Sequence, residues 1–241
     1  GSDGPIRRVV GSAFVSDPLA LVLGAGGQLG QACVATEPPQ LRVLGLTRAQ
    51  CDVTDDAALH DCLQRLSPQI IINAAAYTAV DAAENDLHRA QALNADAPKR
   101  LATLCAERGI RLVHVSTDFV FDGAATSAYL TTDTPAPLGV YGETKLQGEQ
   151  AVLASDASHA VVRASWVYAP QGKNFMLTML RLMRERGAVG VVSDQVGAPT
   201  AASSLADICW RLAQEPEATG LFHWSDEGEI SWYEFACTIR D

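Results

Sequence analysis

A run of apolar residues, Leu19-Ala20-Leu21-Val22-Leu23, passes directly into Gly24-Ala25-Gly26-Gly27-Gln28-Leu29-Gly30. A helix-like Gln31-Ala32-Cys33-Val34-Ala35 follows and is stopped by Pro38-Pro39. A continuous apolar run of this length reads as a buried strand, and its sequel reads as a glycine turn opening a helix. Gly24, Gly27 and Gly30 would provide a tight turn, close approach of backbone to a diphosphate, and close helix packing, while the helix N-terminus attracts the anion. A plain turn could use the same residues. Placement directly after the first buried strand favours a dinucleotide.

The alternation continues along the chain. Further strands are expected at residues 41–46, 70–72, 111–115, 160–164 and 221–224, with one more in the 189–192 region. Helices are expected up to Leu66, around 90–108, from Lys145, near 174–186, near 205–214 and over 231–239. Strands and helices alternating at this length imply a parallel sheet with right-handed crossovers, hence a Rossmann-type, doubly wound α/β fold. Asp52-Val53-Thr54-Asp55 looks like an adenine-side loop in which Thr54 or Asp55 also caps the next helix. The second strand ends in Thr47-Arg48, without the acidic residue that would bind ribose hydroxyls. Arg48 is placed to pair with a 2′-phosphate, which favours NADPH and still allows NADH.

Small residues gather at the ends of the later strands. Asn73-Ala74-Ala75-Ala76-Tyr77-Thr78 follows the third, and Ser116-Thr117-Asp118 follows the fourth. Val140-Tyr141-Gly142-Glu143-Thr144-Lys145 then opens a helix, putting Tyr141 and Lys145 on one face. A free phenol has a pKa of about 10, and a nearby ammonium lowers it by favouring phenolate. The pair therefore reads as a tuned proton donor. The net charge of −10 argues against a general nucleic-acid or anionic-membrane surface, so a phosphate ligand must be gripped locally. The scattered cysteines (33, 51, 62, 105, 209, 237) have no Cys-x-x-Cys, and the histidines (60, 88, 114, 159, 223) have no ligand spacing. No metal site is therefore assigned. A reduced, cytoplasmic protein is expected, since the chain shows no signal peptide and no apolar run of about 18 residues.

Glycine turn, strand-end hydroxyls and Tyr-x-x-x-Lys together resemble the extended short-chain dehydrogenases/reductases. Within them, Gly24–Gly30, Ile72-Asn-Ala-Ala-Ala-Tyr-Thr-Ala-Val-Asp81 with Glu84, Val115-Ser-Thr-Asp-Phe-Val-Phe-Asp-Gly123, Val140–Lys145, Arg163-Ala-Ser-Trp-Val-Tyr168, Asn174-Phe175 and Asp194-Gln-Val-Gly-Ala-Pro-Thr200 are similar to the dTDP-4-dehydrorhamnose reductase family. The resemblance implies NADPH-dependent reduction of the 4-keto group of dTDP-4-dehydro-L-rhamnose to dTDP-L-rhamnose. Tyr141 would be the acid, Lys145 would lower its pKa and hold the nicotinamide ribose, and Thr117 would bond the substrate carbonyl. Asp118 and Trp166 match sugar contacts, and Gln28, Leu29, Asp52, Val53, Ala76, Tyr77 and Thr78 match cofactor contacts.

The same resemblance implies a partition of the chain. Residues 1–18 form an N-terminal extension and 19–168, with about 202–224, a dinucleotide-binding domain. A smaller substrate-binding part comprises 169–201 and 225–241, with the chain stopping at Asp241 before the stretch that usually completes it. The implied partner is a small nucleotide sugar, with no nucleic acid or membrane, and a homodimer is compatible. Some members bind Mg2+ at a subunit contact, but no acidic cluster here is assigned to it. Two departures stand out: Phe119 replaces a frequent Tyr, and Asp81-Ala82-Ala83-Glu84 lacks a frequent Lys. A dehydratase would want an acidic residue beside Asp118, and Phe119 cannot act as a base. The remaining alternative is a non-catalytic NADP-binding regulatory subunit like the β subunit of methionine adenosyltransferase, which Gly220-Leu-Phe-His-Trp-Ser225 also resembles.

Overall fold

The structure, a computed structural model, describes residues 17–240. Apart from Asp17 and Pro18, the extension expected at 1–18 lies outside the described residues. The elements β1 (Leu19–Leu23), α1 (Gln28–Ala35), β2 (Arg42–Leu46), α2 (Asp56–Leu66) and β3 (Ile70–Asn73) keep the expected rhythm. Two short helices, α3 (Val80–Ala83) and α4 (Leu87–Gln91), lead through a π-turn (Ala92–Asp96) into α5 (Ala97–Arg108). Next come β4 (Arg111–Thr117), a 3-10 turn (Asp118–Val120), the long α6 (Val140–Ser155) and β5 (Ala160–Ala164). The chain continues through β6 (Val167–Tyr168), α7 (Phe175–Arg186), β7 (Val196–Gly197), β8 (Thr200–Ala201), α8 (Ala202–Gln214), β9 (Gly220–Trp224), β10 (Ile230–Ser231) and α9 (Trp232–Arg240).

The main sheet is parallel throughout, in the order β2-β1-β3-β4-β5-β9. Its strands read as continuous apolar runs because both faces are covered. Leu21, Leu23, Ile71 and Leu112 pack with Leu59, Leu63, Leu101 and Val152 of α2, α5 and α6. Their neighbours Ala20, Val22, Ile72 and Val113 point the other way, onto Leu29, Leu205, Ala206 and Trp210 of α1 and α8. Winding reverses between β1 and β3, since β2 lies beyond one and β4 beyond the other. The carboxyl ends of β1 and β3 therefore flank the crevice where such sheets bind ligands.

Two expectations are corrected. The helix expected around 90–108 is interrupted by the π-turn. Its cause is Asn94, whose carboxamide accepts from Tyr77 N–H at 2.8 Å and donates to the Tyr77 carbonyl at 3.1 Å. The Asn94 carbonyl meanwhile presses against α6, where a Cβ on Gly148 would come within 2.0 Å of it. A regular helix cannot serve both contacts, so it widens there. The strand expected in the 189–192 region is absent: Val192 is 51% exposed, and the nearest ladder is β7 with β10. Branched side chains favour a strand only where a partner strand and a packing surface exist. Of the two candidate caps for α2, Asp55 is the one used, accepting from Ala57 and Ala58 N–H at 3.0 Å each.

Outside the main sheet, β6 pairs with β8 and β7 with β10, and aromatic rings fill the space between. Trp166 stacks on Trp232 at 3.5 Å and 11°, and Phe175 and Phe235 pack around Trp232. Trp166 holds φ at 47°, an unusual conformation for a bulky residue, and the stacking fixes it there.

Candidate functional site

The glycine turn lies at the crevice. Gly24 has φ of +82°, and a Cβ there would meet Ala75 N at 2.7 Å; a Cβ on Gly30 would meet the Gly24 carbonyl at 2.2 Å. β1, β3 and α1 thus approach closely only because both residues are glycine. Gly27 caps α1 without a side-chain bond, and no acidic residue occupies the first turn. That leaves an uncovered donor end and its partial positive charge, which fits a diphosphate.

Around it the expected cofactor contacts are spread over several places. Ala76, Tyr77 and Thr78 follow β3 into the crevice, with the Tyr77 backbone clamped by Asn94 and its ring beneath Arg89 at 5.6 Å. Arg48 and Asp52 stand together beyond β2 in an ion pair of 2.9 Å, with Arg48 68% exposed. Thr54, and then Arg48, hold the Asp52 carboxyl below the usual carboxylate range. Leu29 and Val53 instead send their side chains into the core, so only their backbones are available to a ligand. The side chain of Gln28 reaches the chain before α7, donating to the Lys173 carbonyl at 3.3 Å and accepting from Asn174 at 2.7 Å.

The residues expected to handle protons meet at the end of β4 and the start of α6. α6 begins at Val140, so Tyr141 and Lys145 do occupy successive turns of one face, and both are buried, at 9% and 2% exposure. The buried stripe of this helix is Tyr141, Thr144, Lys145, Gly148, Glu149 and Val152, far more polar than a packing stripe requires. Thr117 donates to Asp118 Oδ1 at 3.0 Å and accepts from Phe119 N–H at 3.2 Å. Its hydroxyl also faces the Tyr141 phenol. The ring of Phe119 meets that of Tyr141 edge-on at 5.5 Å. Trp166 stands apart from this group, in the aromatic cluster around Trp232.

Electrostatics correct one expectation. Lys145 is expected to lower the phenol pKa, yet burial pushes Tyr141 up to about 12; the Thr117 hydroxyl opposes the shift and the Asp118 charge adds to it. Lys145 Nζ is engaged elsewhere, donating to the Val115 carbonyl at 2.6 Å. Burial also drives Lys145 down to about 8, with the Glu149 carboxylate opposing, and raises Asp118 to about 6 against the Thr117 hydrogen bond. Desolvation dominates each of these shifts because each group sits beneath packed elements. His114 is held neutral by burial and by Lys145, and its Nδ1 lies 3.1 Å from Asn73 Nδ2.

Sequence reasoning missed the support beneath these groups. Glu149, one turn beyond Lys145, pairs with Arg163 of β5 through Nε at 3.0 Å and through a second contact at Nη2, with both side chains almost fully buried. Arg163 Nη1 donates to His223 Nε2 at 3.2 Å, and His223 Nδ1 donates to the Tyr129 carbonyl at 3.1 Å. An arginine inside the apolar run Val161-Val162-Arg163-Ala164 was the available signal, because a charge on a buried strand demands a partner.

The chain resembles known proteins over most of its length. Residues 19–241 match the family described as RmlD substrate binding domain. A dTDP-4-dehydrorhamnose reductase of Shigella flexneri is 40% identical over 227 residues, spanning 91% of this chain and 76% of the relative. One from Mycobacterium tuberculosis is 45% identical over 217 residues, spanning 88% and 71%. Among solved structures, dTDP-4-dehydrorhamnose reductase from Bacillus anthracis in complex with NADP superposes with a TM-score of 0.89 at 35% identity, covering 93% of this chain and 80% of that one.

Proposed function

The chain belongs to the dTDP-4-dehydrorhamnose reductase family, and from that premise we propose that it reduces the 4-keto group of dTDP-4-dehydro-L-rhamnose to give dTDP-L-rhamnose. The observation that carries the reading is the meeting of Tyr141, Lys145 and Thr117 at the strand ends beside an uncapped glycine turn. The nicotinamide cofactor, when bound, supplies hydride. This chain's own residues manage charge and protons.

As negative charge develops on the sugar oxygen, a donor must already be aimed at it. A phenol whose pKa is about 12 stays protonated throughout the neutral range, so Tyr141 is loaded as the acid. Thr117 supports it from the β4 end, and Lys145, one turn along the same helix face and tied to the Val115 carbonyl, is proposed to hold the nicotinamide ribose. Asp118 and Trp166 are proposed to contact the sugar, and Gly24, Gly27, Gln28, Leu29, Gly30, Arg48, Asp52, Val53, Ala76, Tyr77 and Thr78 the cofactor. The main sheet with its helices forms the dinucleotide-binding domain in this reading, and 169–201 with 225–241 the substrate-binding part. Cytoplasmic placement agrees with the substrate; among the described residues, no helix is long and apolar enough to cross a membrane.

NADPH oxidation on adding the keto-sugar is the direct test. Tight NADPH binding without oxidation would overturn the proposal in favour of a silent regulatory subunit. Cofactor preference follows from Arg48. An exposed ion pair is worth about 0–1 kcal/mol, whereas a charge-assisted bond to phosphate is worth about 1.5–3 kcal/mol, so exchanging Asp52 for a 2′-phosphate is favourable. Arg48→Ala should raise the NADPH dissociation constant about tenfold or more and leave that for NADH nearly unchanged. Equal weakening of both in a fluorescence titration would remove the 2′-phosphate role.

A further inference from the structure

The catalytic helix is not capped by its own N-cap residue. Gly139, its N-cap residue, has an extended backbone that any residue adopts, with φ at −153° and ψ at 171°, and it offers no side-chain acceptor. Across the site stands Glu84: a Cβ at 139 would lie 2.6 Å from its Oε1. That same oxygen accepts from Val140 N–H at 2.8 Å. A residue 56 positions before Val140 thus satisfies the first free N–H of the helix, one that a serine or aspartate at 139, reaching the next N–H groups, would leave open. Its charge suits the positive end of the helix.

Glu84 also belongs to the wall on which the phenol rests. It directly follows α3, and Ala83 of α3 and Ala90 of α4 are the buried residues that pack on Tyr141, with Tyr77 and Val80 alongside. One unit, α3 with α4, therefore touches the Tyr141 ring and holds the backbone one residue before it. The same unit continues from the loop Ala76–Thr78. Among the described residues Glu84 forms no ion pair, so its bond to Val140 is not incidental to some other partner.

Resting on the reductase reading above, we propose that Glu84 is a positioning residue, pinning the first turn of α6 to the α3–α4 wall and so fixing where the Tyr141 phenol stands relative to the loop at Ala76–Thr78. Glu84 is exposed, so its removal leaves the core intact while freeing the catalytic turn to shift. Displacements of about 1 Å can cost about 100-fold in rate.

The test is a set of variants assayed for NADPH oxidation with the keto-sugar, for NADPH binding by fluorescence, and for hydrogen exchange at Val140 N–H. Glu84→Ala should lower kcat about tenfold or more, with KM and NADPH affinity each within about threefold, and should speed exchange at Val140. Glu84→Gln keeps the accepting oxygen and should stay near wild type.

Gly139→Ser in the Glu84→Ala background can cap a different N–H of the first turn but cannot tie α6 to the α3–α4 wall, so it should recover helix-end stability without recovering kcat. That split separates the pin from simple capping. A kcat for Glu84→Ala within about twofold of wild type, or a double variant restored to wild-type kcat, would overturn the proposal. Should Glu84→Ala fail to fold, Glu84→Asp keeps the charge but falls short of Val140, and an unchanged kcat there overturns it equally. A wild-type chain that oxidises no NADPH with the keto-sugar, while Val140 exchange still responds to Glu84→Ala, removes the reductase reading and the positioning role with it but leaves the cap.

Discussion

Tyr141→Phe is expected to lower kcat by about 10²- to 10⁴-fold, the range associated with losing a positioned general acid. NADPH affinity should be nearly unchanged. The substitution is clean because the ring environment survives: Ala83 and Ala90 still pack on one side, and Phe119 still meets the ring edge. Only the oxygen facing Thr117 disappears. Loss of an interaction made in the transition state lowers kcat and kcat/KM together, whereas loss of uniform binding raises KM alone. Steady-state kinetics on both proteins separate these outcomes, and unchanged turnover would remove Tyr141 from the mechanism. The phenol's own titration offers a second reading. With its pKa raised to about 12, Tyr141 should remain protonated at pH 10, where an ordinary tyrosine is half ionised. The ultraviolet difference between wild type and Tyr141→Phe should therefore show no phenolate from this residue below about pH 10.

Glu149→Ala should have the largest effect on stability. Truncating one partner of a buried ion pair leaves an uncompensated charge and costs about 3–5 kcal/mol. Arg163 would keep His223 and the Phe121 ring, the latter at 4.9 Å, but neither neutralises a guanidinium. At about 2–4 °C per kcal/mol for a chain of this size, the melting temperature should fall by roughly 6–20 °C. Glu149→Leu combined with Arg163→Met should be close to neutral, since it removes both charges and keeps the volume. Thermal unfolding of the three proteins decides the matter, and a single variant no less stable than the double would show that the pair is not energetically coupled. Lys145 would also respond. Glu149 is the charge that raises the Lys145 pKa against burial, so without it the ammonium is lost at a still lower pH than about 8. Any rate limb governed by that ammonium should therefore move to lower pH in Glu149→Ala.

What could be read in the sequence was whatever depends on neighbours in the chain. A strand covered on both faces must be apolar throughout, so β1, β3 and β5 announced themselves, and with them the parallel sheet. The turn at Gly24 to Gly30 needs residues without side chains, and Tyr141 and Lys145 share a helix face by spacing alone. What stayed hidden depends on contacts made across the fold. Glu84 caps a helix far along the chain, a contact that no local pattern around either residue announces. Asn94 widens a helix because of a loop before it. Lys145 was expected to act directly on Tyr141, but burial and the Val115 carbonyl are properties of the packed state. The Val189 to Val192 region had strand-forming side chains and no strand to join.

The aromatic cluster around Trp166 and Trp232 draws on two stretches of chain, one between β5 and β9 and the other after β9. The sixth strand of the main sheet lies between them in sequence, paired in register with β5 from Ala160 to Ala164. Neither stretch can be exchanged as a single cassette. A graft that replaces this cluster must carry both stretches and retain the host's β9, and recombination that joins two relatives at one crossover between 166 and 232 would mate a tryptophan from one parent with a stacking partner from the other. The cluster should therefore diversify by point substitution rather than by segment shuffling.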